Sequence, residues 1–207
     1  MEILRGQKIL LVAVLLLFSG SLQAQNSGVI EAFKTSYEWE KQGEYKKAVD
    51  ALKKVYDADS YEINLRLGWL NYQAGLFTES ATHYQRAVDL MPYSIEAKFG
   101  LIYPVSAIGK WDEVIRIYQK ILEIDPQNTI AHYRLGLIYY GRTEYEKAEN
   151  HFSKVLNLYP FGYDSLIMLA WTELQLGKYR KAKVLFQKAL MYNPGDESAL
   201  EGLKLIK

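Results

Sequence analysis

Four of the five prolines in this chain, Pro92, Pro126, Pro160 and Pro194, stand 34 residues apart. Three successive equal intervals fix a register, and a period of this size marks a chain built by repeating one supersecondary unit. The stretch 129–160 displays that unit as two runs of amphipathic helical periodicity around a tight turn. A lone helix pair cannot bury its apolar face, so consecutive pairs must stack. The reading is therefore an all-α chain whose core contacts lie within a pair or between neighbours.

Divided at this period, the chain holds five pairs, 29–60, 61–94, 95–128, 129–162 and 163–196, followed by a last helix over 197–207. The first pair is two residues short, an irregularity expected of a terminal repeat. In the last helix Leu200, Leu203 and Ile206 are expected on one side, with Glu201, Lys204 and Lys207 on the other. That pattern is expected of a polar-backed cap over the final core.

The residues between the prolines align in columns. The first helix carries a leucine and then a small residue at Leu67 and Gly68, Leu135 and Gly136, and Leu169 and Ala170. The turn carries Gly43, Gly75, Gly109 and Gly177, which predicts helices ending in a left-handed residue. Aromatic residues open the second helix at Tyr45, Phe77, Trp111, Tyr145 and Tyr179, followed by small ones at Ala48, Ser80, Ala148 and Ala182. Its core positions are Leu52, Tyr84, Tyr118, Phe152 and Phe186. These columns resemble the tetratricopeptide repeat (TPR) family over nearly the whole chain after residue 24. The resemblance implies a right-handed superhelical solenoid of five helix-turn-helix repeats plus a C-terminal capping helix.

The third repeat departs from the pattern. Ile102 and Val114 stand in the small columns, so its helices are expected further apart. Pro104 falls inside its first helix, where it removes a backbone donor and crowds the carbonyl four residues back, that of Gly100. A kink is expected there.

The first 24 residues differ from the rest. Glu2, Arg5 and Lys8 precede an unbroken apolar run, 9–18, and small and polar residues lead to Ala24. Ten residues are too few to span about 30 Å of hydrocarbon, and the arrangement is that of a secretory signal peptide cut after Ala24. An uncleaved anchor is the alternative. Without cysteine, the exported protein has neither disulfides nor an N-terminal lipid anchor, so a periplasmic or secreted location is expected, with no membrane insertion after cleavage. Its balanced charge, 23 basic and 23 acidic side chains after residue 24, offers no stripe for nucleic acid and no patch for anionic lipid.

Catalysis needs convergent polar groups. The chain has no phosphate loop and no paired-histidine motif, so no enzyme activity, metal or cofactor is expected. His83 and His151 share a column two repeats apart while His132 lies on a first helix, so the three are not expected to meet. Glu144, Glu146 and Glu149 beside Lys147 read as surface charge.

What remains is binding. The first helices carry a second stripe at spacings of four and three: Phe33, Tyr37 and Glu40; Leu65, Trp69 and Tyr72; Phe99, Tyr103 and Ser106; Tyr133, Leu137 and Tyr140; Ile167, Trp171 and Leu174. Nine of the fifteen are aromatic and only Glu40 is charged, which leaves no clamp for acidic peptide tails. Arg66 and Arg134 on the adjacent column, with Glu62, Glu96 and Asp164 nearby, are expected to form a polar rim. The TPR resemblance implies that these columns line a concave groove. The function expected is a non-catalytic scaffold in the cell envelope that holds an apolar or aromatic peptide segment of a protein partner. A glycan-binding module using stacked aromatics is the alternative, and a homo-oligomer in which the groove holds another copy's terminal helix stays open. The opposing expectation is that the stripe is internal packing between repeats.

Overall fold

The computed structural model describes residues 27–206. The expected signal segment, 1–24, and Lys207 lie outside the described residues. The described chain is all α-helical and forms two compact units, one ending at Gly109 and the other beginning at Lys110.

The first unit holds α1 (27–41), α2 (Tyr45–Lys53), α3 (Tyr61–Gln73), α4 (Phe77–Leu90) and α5 (Ile95–Ala107). Helix α3 packs on α2, α4 and α5, and α4 packs on α5. Phe33 and Trp39 of α1 lie against a core of Ala48, Val49, Leu52, Ile63, Leu67 and Leu70. The second unit holds α6 (Trp111–Ile124), α7 (Thr129–Gly141), α8 (Tyr145–Leu158), α9 (Tyr163–Gln175), α10 (Tyr179–Tyr192) and α11 (Glu197–Leu205). Each of these packs on the next, and α9 also touches α7 and α11.

One packing rule recurs in both units. A ring from the second helix of a pair sits against residues that have almost no side chain. A Cβ added at Gly68 would lie 2.7 Å from the Tyr84 ring, and one at Gly100 would lie 2.1 Å from the same ring on its other side. Phe152 meets Gly136 in the same way, at 2.6 Å, and Phe186 meets Gly202 at 2.2 Å. Gly100 thus answers chiefly to Tyr84 rather than to Pro104. Helix α5 runs on through the proline, which keeps its own carbonyl bonded to the Ile108 amide.

The helix termini follow local chemistry. Ser60, Ser94, Asn128 and Asp196 cap α3, α5, α7 and α11 by accepting from the amide three residues on, which satisfies one of the orphan donors of the first turn. Four first helices end in the same reversal, with the amide of the second residue past the cap bonded five residues back: Glu44 to Trp39, Leu76 to Asn71, Glu144 to Tyr139 and Lys178 to Glu173. This geometry needs a left-handed residue, and Gly43, Gly75 and Gly177 supply it. In the fourth repeat the residue is Thr143, at φ 61°.

Helix α11 is turned from its expected orientation. Ala199 and Gly202 are its buried residues, Leu203 and Ile206 pack on the Phe186 cluster, and Leu200 is 41% exposed. Contact centres on the small residues because only they let the helix backbone approach the Phe186 ring. Lys204 occupies the column held by Gly68, Gly136 and Ala170 in earlier repeats.

A β-branched side chain at positive φ is strained, by about 1 kcal/mol or more relative to glycine. Thr143→Gly is expected to raise unfolding stability by about 1 kcal/mol, read as a higher midpoint in urea at unchanged slope.

Candidate functional site

In the first unit the stripe is anchored by a buried ion pair. The Arg66 guanidinium donates to Glu40 at 2.6 Å and to the Ser36 hydroxyl at 3.3 Å, and it lies 3.8 Å over the Tyr37 ring. The Trp69 indole donates to the other Glu40 oxygen at 2.6 Å. Burial works to raise the Glu40 pKa, but the hydrogen bonds from Arg66 and Trp69 and the Arg66 charge outweigh it and hold it below the usual carboxylate range. Arg66, 9% exposed, is therefore not a rim residue. It ties α1 to α3 and takes the stripe's only charge out of play.

The aromatic side chains divide by exposure. Tyr37 and Tyr103 are half exposed, at 49% and 50%. Phe33, Leu65, Trp69, Tyr72 and Phe99 are partly buried. A run of rings joins α3 to α5: Trp69 stacks on Tyr72 with centroids 6.3 Å apart, and Tyr72 meets Tyr103 at 5.5 Å. In the second unit Tyr133, Tyr140 and Trp171 are partly buried against rings of their second helices, Phe152, Tyr145 and Phe186, at 5.9, 5.4 and 5.3 Å. Arg134 is exposed on α7. The stripe is thus partly packing, with a surface remainder centred on Tyr37 and Tyr103.

Two polar clusters of the second unit depart from the sequence reading. His132 and His151 do meet, Nδ1 to Nδ1 at 2.9 Å. The Pro126 carbonyl, 3.1 Å from His132 Nε2, can only accept, so that nitrogen carries the proton. His132 Nδ1 then accepts from the His151 Nδ1–H, and both rings are neutral. Tyr139 stacks on His151 at 5.5 Å. Burial, then the His132 ring and the Lys154 charge, push the His151 pKa down to about 4. Burial also lowers that of His132, with the Pro126 carbonyl opposing. The same two columns hold Asn64 and His83 in the second repeat, 3.1 Å apart.

Glu149 is not ordinary surface charge. It accepts from Lys178 at 2.5 Å and lies 3.6 Å from Lys181, and both lysines also face Glu173, which is 3% exposed. Burial raises the Glu173 pKa, and the Glu149 charge adds to it. For Glu149 burial acts upward too, but the Lys178 hydrogen bond and charge prevail and lower it. Two carboxyls and two ammonium groups thus tie α8, α9 and α10 together. Glu144 does pair with Lys147 at the surface, at 2.5 Å. Among the described residues no three His, Cys, Asp or Glu side chains are placed to hold a metal, and no helix is long and apolar enough to cross a membrane.

Models of the tetratricopeptide repeat match residues 40–95, 129–161 and 163–196. The chain belongs to the tetratricopeptide repeat family. It is 27% identical to TPR repeat-containing protein MJ1428 of Methanocaldococcus jannaschii, over 65% of this chain and 32% of that one. It is 26% identical to TPR repeat-containing protein YpiA of Bacillus subtilis, over 78% of this chain and 39% of that one. The chain spans about a third of the length of these relatives. Among solved structures it resembles a TPR protein from Parabacteroides merdae, with a TM-score of 0.74, 22% identity and coverage of 86% and 72%. It also resembles MamA, with a TM-score of 0.70, 23% identity and coverage of 86% and 96%. At such identities the likeness concerns the fold. TPR proteins as a family bind protein partners.

Removing one member of a buried pair strands the other. Glu40→Ala is expected to cost about 2 to 3 kcal/mol in equilibrium unfolding, whereas Glu31→Ala, which breaks an exposed pair with Lys34, changes stability by less than about 0.5 kcal/mol. The histidine pair predicts an acid-side loss. The unfolded chain takes up a proton near pH 6.5 and the folded His151 only near 4, so stability is full above 6.5 and falls as pH drops between those values. Replacing the pair with His132→Leu and His151→Leu, as Leu166 and Leu185 stand in the fifth repeat, is expected to flatten thermal midpoints between pH 7 and 4.5.

Proposed function

We propose that this TPR protein is a non-catalytic interaction scaffold that holds an apolar or aromatic peptide segment of another protein on its first-helix aromatic face. The observation that carries the reading is the ring run Trp69, Tyr72 and Tyr103, one end fixed by Glu40 and the other half exposed. Rings already held in place lose little freedom on binding. Each one newly covered contributes about 1.5 to 3 kcal/mol before ordering costs. No mobile lysine or arginine of the stripe competes for that surface, because Arg66 is committed to Glu40.

The scaffold works in the cell envelope, exported by residues 1–24. The charged start, the short apolar run 9–18 and Ala24 support export, and the absence of cysteine supports release as a soluble periplasmic or secreted form.

Affinity capture from the envelope fraction tests both parts. The wild type is compared with Tyr37→Ala plus Tyr103→Ala, chosen because both side chains are half exposed and neither belongs to the fully buried core. A defined protein partner is expected with the wild type and lost with the variant at unchanged thermal midpoint, and the recovered chain is expected to begin at Gln25. Equal recovery by both proteins would overturn the aromatic face as the binding surface, and a recovered chain that keeps residues 1–24 would overturn the cleaved form.

A further inference from the structure

We propose that the aromatic face of the first unit recognises a cationic segment, a peptide that sets a lysine or arginine against the Glu62 and Glu96 carboxylates and lays aliphatic or aromatic side chains on Trp69, Tyr72 and Tyr103. This rests on the peptide-capture reading above and names the chemistry of its ligand.

The argument is one of charge complementarity. Glu62 lies three and seven residues before Leu65 and Trp69, and Glu96 three and seven before Phe99 and Tyr103, so both carboxylates share the helical face of the stripe. Both are exposed. Each takes a hydroxyl contact at the start of its helix. The Ser60 hydroxyl donates to Glu62 at 3.2 Å, and the Tyr61 hydroxyl lies 3.3 Å from Glu96 and 2.8 Å from Ser94. No ion pair among the described residues includes either carboxylate.

The two cations of these helices are both turned inward. Arg66 is held by Glu40, and Lys98, buried, donates to the Pro92 and Ser94 carbonyls. The face of α3 and α5 therefore presents two negative charges, a run of electron-rich rings and no exposed cation. Carboxylates and ring faces attract the same kind of ligand. The helix dipole explains an acid in a first turn, but it acts equally on α7, where the corresponding residue is Ile130 and exposed Arg134 lies close by on the same helix. Helix α9 carries the exposed Asp164 at the same position; what sets α3 and α5 apart is that two such acids lie on neighbouring, packed helices beside the ring run Trp69, Tyr72 and Tyr103.

The test uses three synthetic peptides alternating leucine and tyrosine, with every fourth residue lysine, glutamine or glutamate, titrated into the purified protein and followed by tryptophan fluorescence at 20 and 200 mM NaCl. The lysine peptide is expected to bind about tenfold more tightly than the glutamine peptide at low salt, to lose most of that advantage at high salt, and to exceed the glutamate peptide further. Glu62→Gln plus Glu96→Gln, with its thermal midpoint measured alongside, is expected to bring the lysine peptide to the level of the glutamine peptide and leave the latter unchanged. Equal binding of lysine and glutamine peptides, or tighter binding of the glutamate peptide, overturns the cationic preference while peptide capture stands. Failure of all three peptides overturns both.

Discussion

The fold depends on a steric allowance that recurs in both units: a ring on the second helix needs neighbours that bring no side chain of their own. Tyr84 lies between Gly68 and Gly100, and Phe152 and Phe186 meet Gly136 and Gly202. Close packing at interior density leaves no slack for an extra methyl group there. Because a ring can contact both the first helix of its own pair and that of the next, one side chain sets two interfaces. Helix spacing within a unit is therefore dictated by a handful of columns, and everything on the first-helix faces, including the stripe, inherits its placement from them.

What repeats was legible in the sequence. The helix pairs, the left-handed turn glycines and the ring and small-residue columns follow from local conformational preference multiplied by a fixed period, so each repeat reinforces the reading of the others. What belongs to one repeat alone was not. The fourth repeat has no glycine at its turn, and only the backbone reveals that Thr143 takes that role. The pairing of His132 with His151 and the sinking of Glu149 beside Glu173 depend on side chains meeting across helices 19 to 24 residues apart, which column-wise reading treats as separate faces. For Arg66 a signal existed: Glu40 was the single charge on an otherwise apolar stripe, and a buried charge needs a partner. The exposure of Leu200 was missed because the apolar pattern of α11 does not announce that Ala199 and Gly202 make the contact. As for the candidate site, the sequence indicated which face carries the rings, but not which rings remain uncovered, since that is set by what the second helices place against them.

The interior of these repeats is more polar than their apolar columns suggest, and the polar groups fall into a common scheme. Asn64, Lys98 and His132 occupy one column, and each reaches back to a loop carbonyl, those of Ala58, Pro92 and Pro126. Leu166 holds the column in the fifth repeat. Side chains of three different types thus serve one purpose, joining the start of a first helix to the loop before it. Where the column holds a polar residue, a donor of sufficient reach serves rather than a particular residue. Fixed loops and fixed helix starts keep the carboxylates of the first turns at set positions relative to the aromatic run, which matters for any ligand that must meet both.

Lys204 bears on assembly. In the second and fourth repeats its column holds a glycine against which the second helix lays a ring. On α11 a helix arriving in that manner would have to bury an ammonium group, which costs stability unless a carboxylate receives it. A single lysine in the column of the glycines thus sets a charge requirement on any helix that packs there.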